Sequence, residues 1–187
     1  MQRILRHAPA RAGREERGLT AELLRLILDR YRLDLHGIHG IAHWARVLEN
    51  GRRLAAVTGA DGAVIEFFAL FHDSCRNGDG QDPGHGPRAA ELVESLRGRI
   101  GLDDARLSHL VEACRCHTFG AAGSAHITVL TCLDSDRLDI PRVGIQIKPW
   151  LLSTEAARAP DIIAWATERA ERRAFPALLA EEWGWKG

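Results

Sequence analysis

Phe67-Phe68-Ala69-Leu70-Phe71-His72-Asp73-Ser74-Cys75-Arg76 passes in one step from apolar bulk to an imidazole and a carboxylate. The Phe and Leu side chains demand burial, whereas Arg76-Asn77-Gly78-Asp79-Gly80 cannot be core. Packing therefore holds the backbone firmly up to the point where His72 and Asp73 are offered. A helix turns about 100° per residue, so sequence neighbours do not share a face. A long His and a short Asp at a helix end can nevertheless converge on one ion. Taken alone, the pair reads as well as a capped helix with a hydrogen-bonded His. Its meaning depends on the rest of the chain.

Upstream, residues 63–72 form a short apolar helix preceded by a turn at Gly59 and Gly62. A longer helix is predicted over 41–58, with Ala42, Ala45, Leu48 and Leu54 facing inward. His36-Gly37-Ile38-His39-Gly40 separates it from a first helix, which Thr20 caps and which runs to about Leu33. Downstream, the Gly-, Asp- and Pro-rich loop 77–86 leads into a helix opened by Pro87 and continuing over 89–96. Asp103-Asp104 opens the next, with Leu107, Leu110, Val111 and Cys114 inside. After the glycines at 120 and 123, residues 127–138 form another. Pro141, Pro149 and Pro160 bound an irregular stretch, and a last helix is predicted over 161–182. Its packing residues are Ile162, Ile163, Trp165, Ala166, Phe175 and Leu178. No strand pattern, repeat or low-complexity tract interrupts this sequence. The expectation is an all-α single domain over 19–187, preceded by a flexible Arg-rich arm at 1–18.

The 187 residues are enough for one domain with a real core. A hydrophobic content of 45% and a charged content of 27% describe an ordinary globular protein. Formal charge is zero, so no basic field points to nucleic acid. No apolar run is long enough to span a membrane. Cys75, Cys114, Cys116 and Cys132 do not form a disulfide framework in a chain of this size. The Cys114-x-Cys116 spacing is tighter than zinc sites use. Reduced core thiols and a cytoplasmic location are expected.

Imidazoles and carboxylates recur at helix ends: His43, His72-Asp73, His85, His117, and Asp136 within Cys132-Leu133-Asp134-Ser135-Asp136-Arg137-Leu138-Asp139. Mixed nitrogen and oxygen donors suit Mn, Fe, Co, Ni, Mg or Zn and leave room for water. Each residue also has a plainer reading. His85 could shape its glycine-rich loop, His117 could be a helix-end cation, and His39 a turn residue. Arg76 and Arg46 suit a phosphate, or, for Arg76, ion pairs with Asp79 or Asp82.

In this order, His43, His72-Asp73 and Asp136 on successive helices resemble the HD superfamily of metal-dependent phosphohydrolases. The string His43-Trp44-Ala45-Arg46-Val47 is similar to that family's first-ligand helix, and the Asp136-Arg137-Leu138 segment to its last. The resemblance covers about residues 20–140 and leaves 141–187, with Trp150, Trp165, Trp183 and Trp185, as an extension.

The resemblance implies an HD-type helical bundle with the metal site between central helices. His43, His72, Asp73 and Asp136 would hold a divalent metal, with His85 and His117 as the candidate ligands of a second ion, so that one ion or two stays open. Asp136 is preferred to Asp134 because the family's ligand directly precedes the Arg-Leu pair, and residues two apart on a helix face nearly opposite ways. The implied activity is hydrolysis of a phosphate ester, of a nucleotide or another small phosphorylated metabolite, by a metal-activated water. Asp73 and Arg76 would be the catalytic pair. Whether the ester is a mono- or diester stays open. The alternative is a non-catalytic HD-fold module that senses a nucleotide. No nucleic-acid or membrane partner is indicated, and the Trp-rich extension is compatible with an oligomer.

Overall fold

A computed structural model describes residues 19–120 and 125–185, and every regular element among them is helical. The expected arm at 1–18 lies outside the described residues. The first six helices are α1 (Ala21–Arg30), α2 (Ile41–Thr58), α3 (Gly62–Phe71), α4 (His85–Ser95), α5 (Asp104–Cys116) and α6 (Ile127–Arg137). Thr20 caps α1 by accepting from the Leu23 amide, as its sequence predicts.

The centre of the bundle is α3. The Asp61 side chain closes its first turn by accepting from the amides of Ala63 and Val64. Val64, Ile65 and every residue from Phe67 to Phe71 are then fully buried. A helix whose one polar side chain is the half-buried Glu66 has to be surrounded, and α1, α2, α4, α5 and α6 all pack on this one. Its polar end is therefore delivered into the interior of the bundle, where His72 is 0% and Asp73 3% exposed.

Gly51 brings α2 close to α3 and α6. A Cβ there would lie 2.4 Å from Ile65 Cγ2 and 3.4 Å from Ser135 Cβ. The neighbouring Asn50 donates to the Ser135 carbonyl at 2.9 Å, which fixes the register of α2 on α6. Those two contacts bring the His43 and Asp136 ends of their helices towards the end of α3.

After α6 the chain makes 3₁₀ turns at Ile140–Val143 and Pro149–Leu151, then α7 (Glu155–Arg158), α8 (Pro160–Glu171) and α9 (Leu178–Glu181). A second small core of Leu54, Leu138, Leu152, Ala157 and Ala166 attaches this segment. The single long helix expected over 161–182 is broken. Arg173 adopts a positive φ of 48°, and Pro176 has no amide to continue the ladder. Phe175 is consequently 52% exposed instead of packed. The helix expected from Pro87 starts two residues earlier, so His85 sits in a first helical turn and not in the loop.

Asp134 does the stapling. Its buried carboxylate accepts from the Ser153 amide, the Thr154 amide and the Thr154 hydroxyl, each at 2.8 Å. Thr154 in turn caps α7 through the Ala157 amide. Asp134→Ala strands these buried donors, at a cost of about 3 kcal/mol. By calorimetry the melting temperature is expected to fall roughly 6–12 °C with metal uptake retained; an unchanged Tm would contradict the role.

Candidate metal centre

Four histidines present their Nε2 atoms to one carboxylate. His43 Nε2 lies 3.1 Å from His72 Nε2, and both are close to Asp73 Oδ2, at 3.5 and 3.7 Å. His85 Nε2 lies 2.7 Å from His117 Nε2, and both face Asp73 Oδ1, at 3.1 and 3.7 Å. Asp136 Oδ1 joins the first group, 3.4 Å from His43 and 3.8 Å from His72. Asp73 thus stands between two pairs of imidazoles, with one oxygen turned to each. Both groups are buried and close enough for each to share an ion.

The other ring nitrogens determine what these Nε2 atoms are. His43 Nδ1 donates to Asp139 Oδ2 at 2.7 Å. His72 Nδ1 faces the Phe68 and Ala69 carbonyls, His85 Nδ1 the Asp82 carbonyl, and His117 Nδ1 the Cys114 carbonyl. Each Nδ1 needs its proton for an oxygen acceptor, so in the neutral rings all four Nε2 atoms carry lone pairs. Two lone pairs cannot hydrogen-bond each other across 3.1 or 2.7 Å. A cation between them resolves the conflict, whether a metal ion or a proton added to one ring. Ligands about 2.1 Å from one ion, at ordinary coordination angles, lie roughly 3.0–3.4 Å apart, close to the 3.1 Å of the first pair. The donor set fits a divalent metal.

A layer behind the ligands holds them. Asp139 is buried, takes the His43 proton, and is gripped by Arg46 Nε at 2.7 Å and by Arg46 Nη2 at 3.0 Å. Arg46 Nη1 donates to the Ala174 carbonyl, which ties the cluster to the chain beyond α8. Burial of the Arg46–Asp139 pair is tolerable because every strong donor has an acceptor. Such carboxylate–histidine pairs fix a ligand's tautomer and orientation.

Electrostatics follow from burial opposed by mutual contact. Burial drives the His72 pKa down to about 3, against the pull of Asp73 and Asp136. Burial would raise Asp73, yet His72 and hydrogen bonds from His117, His43 and His85 hold it well below the carboxylate range. Asp136 is lowered by the same rings against the same burial effect. His117 differs: burial works to lower it, but its hydrogen bond to Asp73 and the Asp136 charge raise it above 6.5.

All six histidines and aspartates expected as ligands are thus brought together. Asp136 faces the cluster and Asp134 faces away. Arg76 makes neither expected ion pair. Its Nε and Nη2 donate to the Gly78 and Gly80 carbonyls, and Nη1 lies 3.4 Å from Asp73 Oδ1. Asp82 is taken by the Asn77 amide and Arg88, and Asp79 pairs with His39 Nδ1 at 3.0 Å. Arg46 is spent on Asp139 and Ala174, so it does not reach a phosphate. Asp139 was not singled out in the sequence, although its i, i+3 spacing from Asp136 was a usable signal. His109 and His126, also without an expected partner, stack at 4.1 Å away from the cluster.

A cavity of about 400 Å³ opens onto this centre. Asp73, Arg76, His85, His117 and Asp136 line its inner end, and residues of the segment 140–152 its outer wall.

No protein-family model and no curated protein matches the sequence. A solved structure does: the crystal structure of a predicted HD superfamily hydrolase from an uncultured Thermotogales bacterium. It is 28% identical, with a TM-score of 0.59, and the match covers 86% of this chain and 91% of that one. The chain is similar to an HD superfamily protein. Residues 1–140 are too few to make up 86% of it, so the likeness runs on into the segment beyond residue 140. Among the described residues, no helix is long and apolar enough to cross a membrane.

Metal binding must displace any proton held on a ligand. The low His72, Asp73 and Asp136 values leave those three side chains proton-free well below neutrality. The raised His117 value keeps its proton to higher pH, so its group loads later. The metal content of Mn-loaded protein, by elemental analysis, is expected to rise with pH to about two ions per chain near pH 8. A metal content independent of pH would contradict this.

Proposed function

We propose that this protein is a metal-dependent hydrolase of phosphate esters, with two divalent ions sharing Asp73. The observation that carries the reading is the convergence of four Nε2 lone pairs on the two oxygens of one buried carboxylate. His43, His72, Asp73 and Asp136 would hold one ion, and Asp73, His85 and His117 the other. The structural relative is a predicted HD superfamily hydrolase, which supports the same class. When bound, such ions make a coordinated water acidic enough to attack at neutral pH and neutralise charge on phosphoryl oxygens.

The chain's own groups have distinct tasks in this reading. Asp73 has both oxygens committed to ligand groups, so it is a bridge and not the residue that orients or deprotonates water. Asp136 keeps 19% of its side-chain surface open towards the cavity. With Oδ1 turned to His43 and His72, its other oxygen is the better group to accept a proton from water. Arg76 Nη1, fastened by the Gly78 and Gly80 carbonyls through its other nitrogens, offers a fixed positive edge to a phosphate entering the cavity. Asp139 and Arg46 keep the His43 proton on Nδ1 and away from the ligand face.

Elemental analysis combined with turnover of aryl mono- and bis-phosphates tests the proposal. Wild type with Mn, Co, Ni or Mg is expected to hydrolyse at least one of them, and Asp73→Ala to lose metal and at least 10³-fold in kcat, since its single change dismantles both sites. Wild type that takes up no metal and turns over neither ester under any ion would sink the proposal and favour a non-catalytic sensing module. Retention of activity in Asp73→Ala would remove Asp73 from its bridging role.

A further inference from the structure

The wall of the cavity opposite the histidines is made by Ile140, Ile145, Ile147, Leu151 and Leu152. Ile145 and Leu151 remain 50% and 59% exposed there, large aliphatic side chains left in water beside a buried polar centre. The lining also includes three cations besides Arg76, which at first suggests a second anionic group on the substrate. Part of their donor capacity is already committed. Arg137 Nη1 donates to the Leu151 carbonyl and the Ser153 hydroxyl. Arg142 donates through Nε to the Ile38 carbonyl and through Nη1 to that of Asp139. Through these atoms the two guanidiniums brace the wall, and Lys148 is exposed.

Uncharged hydrogen-bonding side chains in the lining are limited to Thr118 and Gln146. No Phe, Tyr or Trp lines the cavity among the described residues. A sugar phosphate would give up hydrogen bonds to water here without replacement. A nucleobase would find no stacking ring among Phe, Tyr or Trp and a single carboxamide, Gln146, for its edge. An alkyl or aryl group would cover Ile145 and Leu151 and release their hydration.

We infer that the substrate is a phosphate ester of an apolar alcohol, its phosphate at the histidine cluster and its hydrocarbon part against the 140–152 wall. The inference rests on the hydrolase reading above. The chemistry balances with water alone. A water oxygen bonds to phosphorus, the ester P–O bond breaks, and the alcohol departs carrying one proton of that water.

The test is an n-alkyl phosphate series from methyl to hexyl, with glycerol phosphate and a nucleoside 5′-monophosphate alongside, on the Mn-loaded full chain. Simple alkanols leave with similar ease, so the slope reports the wall. Each added CH₂ is expected to raise kcat/KM by about three- to fourfold, and hexyl phosphate to exceed glycerol phosphate. The Ile145→Ser, Leu151→Ser double variant should flatten that slope. Both residues are exposed, so the fold is not at stake. A flat wild-type series, or preference for glycerol phosphate or the nucleotide, overturns the inference and leaves the hydrolase reading intact. If none of these monoesters and no aryl bis-phosphate is turned over, the hydrolase reading fails. Calorimetric binding of hexylphosphonate against methylphosphonate then still decides the wall: tighter binding of the hexyl compound supports it and equal binding overturns it.

Discussion

Asp73 is the constraint on which the rest of the molecule depends. A buried carboxylate surrounded by four imidazoles is stable only if each ring's proton is directed elsewhere and the remaining lone pairs meet positive charge. The chain meets the first condition with oxygen acceptors of several origins. Asp139 serves His43, and backbone carbonyls serve His72, His85 and His117. The second condition is what divalent ions satisfy. Of the helices that pack on α3, α2, α4, α5 and α6 each hold one of these groups at its distance, and α1 covers the core.

Local chemistry explains how much of this was legible in sequence. The apolar α3 announced itself, because no other arrangement hides three Phe side chains in ten residues. Helical geometry said that only one of Asp134 and Asp136 could face the metal, the family resemblance chose Asp136, and the structure gives Asp134 a different partner in Ser153 and Thr154. His85 was harder. Its glycine-rich surroundings look like a loop, and only the Asp82 carbonyl under its ring shows that a helix begins there. Asp139 and Arg46 act on the site through His43, and nothing in their spacing distinguishes such a pair from an ordinary surface salt bridge. The break after Glu171 escaped notice because apolar residues continue at helical spacing on both sides of Arg173 and Pro176.

The segment after α6 changes most in meaning. By composition it was a Trp-rich extension of uncertain use. In the fold it is fastened at two points, by Asp134 to the start of α7 and by Arg46 to the Ala174 carbonyl. Between α6 and the Asp134 staple it forms the outer wall of the cavity. The candidate ligands thus come from α2 to α6 and their connections, while much of the outer wall of the cavity comes from the chain that follows. In the proposed reading, chemistry and selectivity are carried by separate stretches, joined by α6.

The most direct measurement is an anomalous difference map from crystals of the Mn-loaded protein, collected above and below the Mn edge. The account predicts two peaks, one shared by His43, His72, Asp73 and Asp136 and the other by Asp73, His85 and His117, with Asp73 contacting both. A single peak that leaves His85 and His117 without an ion would contradict the bridging role of Asp73. No peak at all would remove the metal centre itself.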